Sequence, residues 1–292
     1  MISIIISSVD KKMLGDVCAS IKATIGVPHE ILTYENSGGE RGICAVYNQG
    51  MRDAQYDILC FMHEDIIIKT PDWGTTVTDI FKADPQIGLI GVAGCTYKSL
   101  TPGGWLPVFG GTAYSNIIQS FKYGQQASFH DYRNPDNKKL VPVVSVDGLW
   151  LCIPRPIALE VQFDEHLLRG FHGYDIDISL AVGQKHKVVV TFDVLMEHLS
   201  EGKLDKTWMK EILKLHKKWS NNLPVTVEGF SAKQMINFEK DNFKSFLKTL
   251  KQLGLPTSTA FKTLWINSRF ISYNFKLFLK LNYYALLSCF KQ

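Results

Sequence analysis

Residues 2–93 alternate between two kinds of segment, and that alternation limits the possible folds more than any other feature of the chain. Ile2–Ser7, His29–Tyr34, Asp57–Met62 and Ile87–Ala93 are short apolar runs rich in branched side chains, the pattern of buried strands. Amphipathic stretches lie between them. One follows Asp10, a predicted N-cap, as far as Ala23. Another follows the turn Ser37-Gly38-Gly39-Glu40-Arg41-Gly42 and runs from about Ile43 to Ala54, and a third opens at Pro71-Asp72 and runs through Phe81. Strands alternating with helices imply right-handed crossovers and an α/β fold, with a mainly parallel sheet flanked by helices. With 292 residues the chain can bury a large core without metal or disulfide staples.

The periodicity fails between Thr96 and Leu140, where Pro102, Gly103, Gly104, Gly110 and Gly111 precede a polar stretch around Arg133–Asn137. A loop that long without periodicity is expected to be functional or mobile. Strand character returns at Val141–Val146 and Leu149–Ile153, around Asp147-Gly148, and a last strand is predicted over Val188–Phe192. Tyr174–Val182 and Leu204–Trp219 are helical in pattern, and 231–292 is all-helical with a break near Gly254-Leu255-Pro256. A catalytic domain over 1–225 and a helical extension over 226–292 are expected. The net charge of +4 is unevenly spread: residues 1–241 sum to −4, while 242–292 carry eight basic and no acidic groups, together with eleven aromatics. A basic, aromatic end on an acidic body points to an anionic partner.

Several classes are excluded. The six cysteines contain no CxxC pair and mostly sit in apolar runs, which fits free buried thiols in a reducing compartment and neither a disulfide scaffold nor a zinc ribbon. No apolar stretch reaches transmembrane length, and Met1–Ile4 lacks the basic region and cleavage site of a signal peptide, so a cytoplasmic protein is expected. There is no GxGxxG after the first strand, no P-loop, no HExxH and no GxSxG.

Three clusters carry chemistry. His63-Glu64-Asp65 falls where an apolar strand ends, the place where open sheets bind ligands, and its carboxylates suit Mg²⁺ or Mn²⁺ carrying a diphosphate. A solvated acidic turn is the plainer reading. Phe163-Asp164-Glu165 precedes Gly170–Asp177, in which Asp175 and Asp177 open a helix on different faces. One can face a substrate while the other caps or pairs inside the fold. Glu197-His198 follows the last predicted strand and could complete an oxygen-rich metal site, or could simply pack.

In their order along residues 1–225, these clusters resemble the GT-A fold glycosyltransferases of family 2 type, and more narrowly the StrF-like group of bacterial enzymes. The resemblance rests on Ile2–Ser8, Glu35-Asn36-Ser37, Tyr47-Asn48-Gln49-Gly50, His63-Glu64-Asp65, Asp147-Gly148, Phe163–Glu165 with Gly170–Asp177, and His198. It implies a GT-A fold and transfer of a sugar from a nucleotide-diphosphate sugar to an acceptor hydroxyl, in polysaccharide or glycoconjugate assembly. By the same resemblance Ser7, Ser8, Glu35, Asn48, His63, Glu64 and Asp65 lie on the nucleotide-sugar side. Asp147, Gly148 and Tyr174 lie on the acceptor side. Asp175 is the general base of an inverting reaction, and Asp65 and His198 hold the divalent cation.

Two departures from the family pattern stand out. The metal triplet reads His-Glu-Asp, so His63 replaces its first acid, weakening the case for metal and leaving His63 free to bond a ribose. The usual Glu-Asp pair reads Tyr174-Asp175, which removes a like charge that would raise the pKa of the base, so an ordinary value near 4 is expected. A sugar- or nucleotide-binding module on a degenerate GT-A fold is the alternative. A nucleotidyltransferase lacks its basic glycine-rich loop here, and nothing in the tail is a nucleic-acid motif. Phe275–Leu281 resembles a basic amphipathic helix, so peripheral contact of 242–292 with an anionic membrane is expected, against a packed helical bundle with solvated lysines. The acceptor is expected to be a carbohydrate, free or linked to lipid.

Overall fold

The structure is a computed structural model, and it describes residues 1–122, 126–202, 204–267 and 269–290. The alternating half folds as β1 (Ile2–Ser8), α1 (Lys11–Thr24), β2 (His29–Glu35), α2 (Ile43–Asp53), β3 (Ile58–Met62), β4 (Ile66–Ile68), α3 (Trp73–Ala83) and β5 (Ile87–Gly91). Asp10 caps α1 as predicted, accepting from the Lys12 and Met13 amides. After β6 (Ala93–Cys95), the region expected to be a loop contains three strands, β7 (Tyr97–Lys98), β8 (Ala113–Gln119) and β9 (Phe129–Arg133), and among the described residues the segments between them are irregular. These strands are short or half-polar, and β9 keeps Phe129 and Tyr132 exposed, so they carry little apolar periodicity. There follow β10 (Leu140–Val143), β11 (Ser145–Val146), β12 (Trp150–Pro154), α4 (Arg155–Val161), α5 (Tyr174–Val182), β13 (Lys187–Thr191) and β14 (Met196–His198). The chain ends in α6 (Lys206–Lys218), β15 (Val225–Thr226), α7 (Ala232–Gln252), α8 (Ser258–Ile266), α9 (Arg269–Tyr273) and α10 (Phe275–Cys289).

The main sheet has the order β10-β13-β5-β12-β3-β1-β2. It is parallel through β2, β1 and β3 and again at β5–β13, while β12 runs antiparallel to both β3 and β5, and β10 is antiparallel at the edge. A second sheet, β11-β6-β8-β14-β4 with β9 on β8, carries the chain away from the ends of β3 and β5. Alternate residues of β1 face opposite sides. Ile2, Ile4 and Ile6 enter a core with Val17, Ile21 and Trp73 of α1 and α3. Ile5 enters the other core, which extends without a break through Tyr47, Ile178 and Ile212 to Phe243, Leu250, Phe278 and Leu281 of the C-terminal helices. Gly50 sits where α2 crosses β1, and a Cβ there would lie 2.4 Å from Ile5. Cys44, Cys60, Cys95 and Cys152 are buried free thiols.

Candidate active site

The turn from β3 to β4 projects His63 and Asp65 beyond the carboxyl end of β3. Strand β14 lies antiparallel to β4 with His198 opposite Ile66, which sets His198 beside Asp65. His198, placed after the last strand by the sequence pattern, is therefore inside one. His63, Asp65 and His198 each offer one ligand atom, all within 4.8 Å of one another. His63 Nδ1 is 3.8 Å from Asp65 Oδ1, and His198 Nε2 is 3.6 Å from Asp65 Oδ2.

The hydrogen bonds around this cluster fix which ring nitrogen faces inward. Tyr174 donates its hydroxyl proton to the Gly148 carbonyl at 3.0 Å, so its oxygen accepts from His63 Nε2 at 2.6 Å. The unprotonated Nδ1 of His63 is then the atom turned to Asp65. Gln119 donates to the Ser120 and Ser200 carbonyls at 2.6 and 2.9 Å, which turns its Oε1 toward His198 Nδ1 at 3.2 Å. His198 therefore presents Nε2 to Asp65. Burial lowers the pKa of His63. Burial alone would raise Asp65, but His198, His63 and Ser200 together hold its carboxyl well below the usual range. Burial would lower His198, and Asp65 outweighs it, so that pKa is raised. Two imidazole nitrogens and one carboxylate, with the far ring nitrogens anchored, could hold a divalent cation.

The cluster opens into a cleft of about 510 Å³. Its catalytic end is lined by His63, Asp147, Gly148, Tyr174 and Asp175, and its far walls by Trp105, Leu106, Phe171, Trp208 and Phe246. Asp175 stands in the first turn of α5, after Gly173 at φ 79°. Its pKa is pushed up to about 7, first by burial and then by the charge of Asp147, with the α5 amides and Lys98 acting against the rise. This corrects the value near 4 expected from Tyr174 replacing an acid: Asp147, distant in sequence, supplies the missing like charge. Gly148 is required, because a Cβ there would lie 2.3 Å from the Tyr174 hydroxyl. Asp177 faces away from the cleft, accepting from Trp219 Nε1 at 2.7 Å and pairing with Lys218 at 2.8 Å, so it ties α6 to α5.

The donor-side residues fare differently. Glu35 ends β2 as expected and is exposed, with its carboxyl held low by Ser37. Glu64 is 8% exposed and accepts from the Val9 and Asp10 amides at 2.9 and 3.0 Å; it anchors the start of α1 and does not face the cleft. Asn48 is likewise committed, bonding both backbone groups of Phe163 and the Glu165 carboxylate, so it holds the loop that leads to Gly170. Ser7 and Ser8 end β1, but their hydroxyls are turned inward without a partner. Only Glu35, His63 and Asp65 of that set keep side chains available to a donor.

Sequence reasoning missed Gln119, Ser200, Lys98 and Glu239. Lys98 is buried, its pKa pushed down to about 7 by burial, and it donates to the Gly103 and Gly104 carbonyls at 2.7 and 2.8 Å. Glu239 of α7 is fully buried and accepts from Tyr97, Ser99 and Thr101 hydroxyls and from the Leu100 and Thr101 amides. It clamps the segment that forms one wall of the cleft, and Ser245, Phe246 and Thr249 of the same helix line that cleft.

Residues 3–222 match the family model described as a glycosyltransferase-like family, and the chain belongs to that family. The mixed sheet flanked by helices agrees with the expected GT-A class of fold. Three solved structures are similar in part. GalNAc-T7, solved with UDP, GalNAc and Mn²⁺, aligns over 88% of this chain and 58% of its own at 13% identity and TM-score 0.48. TarS of S. aureus aligns over 96% and 54% at 8% identity and TM-score 0.48. A197 from STIV aligns over 68% and 86% at 13% identity and TM-score 0.39. The chain thus matches little more than half the length of the first and of TarS. No curated protein matches the sequence significantly.

Proposed function

We propose that the protein transfers a sugar from a nucleotide-diphosphate sugar to a hydroxyl of a carbohydrate or lipid-linked acceptor, with inversion at the anomeric carbon, in polysaccharide or glycoconjugate assembly. The narrower StrF-like assignment rests on the sequence motifs. The observation that carries the reading is Asp175: a carboxylate with a pKa near 7 at the same end of the cleft as His63, which stands beside Asp65 and His198. A base of that strength takes the acceptor proton as the hydroxyl attacks. Tyr174 and Gly148 hold His63 in place, and Asp147 keeps Asp175 basic. His63, Asp65 and His198 would hold a divalent cation, which would supply charge to offset that of a leaving diphosphate. Two imidazoles and one carboxylate favour Mn²⁺ over Mg²⁺, which prefers an all-oxygen shell.

Residues 1–225 form the proposed catalytic domain and 226–292 the extension that completes its cleft. The reading also includes peripheral contact of 242–292 with an anionic membrane on the cytoplasmic side, supported by the eight basic and no acidic residues there; of these, Lys291 lies outside the described residues. Thermal shift against UDP, GDP, CDP and dTDP and their sugars, each with Mn²⁺, Mg²⁺ or EDTA, tests the donor site. One nucleotide at about 100 times its Kd should add roughly 2.7 kcal/mol with Mn²⁺ and far less with EDTA. Asp175→Asn should keep that shift and lose transfer. Absence of any shift would favour the degenerate binding module.

A further inference from the structure

The C-terminal helix carries apolar residues on two opposite faces, and only one of them is covered. Leu277, Phe278, Leu281 and Ala285 of α10 are buried against the bundle. Phe275, Leu279, Tyr283, Leu286 and Phe290 follow one another at intervals of four, four, three and four, and all are exposed, by 49–78%. At 3.6 residues per turn that spacing draws one stripe along the helix. Trp265 and Ile266 of α8 extend the patch, each more than 60% exposed, and Trp265 donates to Asn282 on one edge of the stripe. Lys276 and Lys280 lie about 100° round from Phe275 and Leu279, on the other edge, and both are exposed. Ile266 also lines a cavity of about 280 Å³ whose walls are mostly apolar and include Lys214, Lys217 and Lys262.

A contiguous exposed apolar patch of this kind marks an interaction surface. The charge chooses its occupant: residues 242–292 carry no acidic side chain, and their lysines border an aromatic stripe in the arrangement that lets stems lie on lipid while the charges meet head groups. We propose that this stripe, with Trp265 and Ile266 beside it, is the face on which the protein seats on an anionic lipid bilayer, with α10 lying in the membrane plane. The proposal deepens the membrane contact included above and is independent of the sugar-transfer chemistry. The two expected alternatives, an amphipathic membrane helix and a packed bundle, are compatible in α10, which packs through one face and leaves the other exposed. Helix α7 lies between the two sites: Ser245 and Thr249 line the cleft, while Lys244 packs over the Tyr284 ring of α10 at 5.1 Å. Among the described residues no helix is long and apolar enough to cross a membrane, so the seating is peripheral.

The test is flotation of the full chain with vesicles of phosphatidylcholine alone and of phosphatidylcholine with phosphatidylglycerol. Comparison is with the double variant Leu279→Asp, Leu286→Asp and with Lys276→Gln, Lys280→Gln, while circular dichroism confirms that each is folded. The wild type should float with the anionic vesicles only. The aspartate pair should abolish flotation, and each lysine replacement should weaken binding about 5-fold. Transfer to a soluble acceptor should be unchanged in both variants. A wild type that floats with neither vesicle overturns the membrane contact itself. Flotation undiminished by the aspartate pair overturns the assignment of the stripe alone. A wild-type dimer that the aspartate pair converts to monomer shows that a second copy covers the stripe, and likewise overturns the proposal.

Discussion

Asp175 owes its basicity to burial and to Asp147, and the two causes can be separated. The base must be ionised to work, so kcat/KM should rise with pH through about 7, with Asp147 facing Asp175 from the β11–β12 turn and Lys98 from β7. Asp147→Asn removes the like charge and should move this acid limb to lower pH; an unmoved limb would refute the coupling. Stability gives the sign independently. A carboxyl whose folded pKa is raised adds stability that is fully present below its unfolded value of 3.8 and is lost as pH rises to about 7. Asp175→Asn should therefore raise Tm at pH 8 and leave it nearly unchanged at pH 4, while reducing transfer by about 10²–10⁴-fold. Gln119 acts at one remove: it orients His198 without touching a ligand. Gln119→Ala should weaken Mn²⁺ affinity by about 10–100-fold, measured by calorimetric titration, with nucleotide affinity in EDTA unaltered.

At the scale of elements, the cleft is held shut on one side by a helix that the family match does not include, since the match ends at residue 222 and α7 begins at Ala232. Glu239→Ala would strand four buried donors, the Tyr97, Ser99 and Thr101 hydroxyls and the Leu100 amide, each costing about 1–3 kcal/mol, so a loss of at least about 3 kcal/mol is expected from the denaturant midpoint. A shift within a few tenths of a kcal/mol would show that the clamp contributes nothing. The helix itself was legible: Ser231 and Gln234 form a reciprocal cap and the period is clear. Its partner was not, because Tyr97–Thr101 has neither apolar alternation nor a helical period, and a buried glutamate looks like any solvated one in sequence. The strands β1, β3 and β5 were legible because strands buried on both faces are continuous branched runs. Strands β7 and β9 lie in a two-stranded sheet and at a sheet edge, and in β8, paired on both sides, Ser115, Asn116 and Gln119 interrupt the apolar run. Asp65, Asp175 and His198 stood out as polar groups at strand ends and a helix start. Gln119, whose amide only orients a histidine, has no spacing that would reveal it, and the pairing of Asp147 with Asp175 exists only after the chain has crossed the sheet.

For the whole molecule, the expected division at residue 225 separates segments of chain but not of core. Tyr47 and Leu151 of the catalytic half share one contiguous cluster with Phe243, Phe246, Leu250, Phe278 and Leu281 of the extension. Removing the extension would uncover that side of the cluster and strip Glu239 from the 97–101 segment. A unit whose parts cannot bury their apolar surfaces separately unfolds cooperatively. Scanning calorimetry of the full chain should therefore give one transition with equal calorimetric and van't Hoff enthalpies, and a 1–225 truncation should melt lower or aggregate. Two resolved transitions, or a truncation that keeps both the full Tm and the transfer rate, would show instead that the extension is a separate body docked on a finished enzyme. The arrangement has a functional consequence, because α7 touches the cleft with one face and α10 with another. If the core is continuous, replacing Tyr284, which packs on Lys244 away from the cleft, by Ala should lower both Tm and acceptor affinity together. Independent bodies would let Tm fall alone.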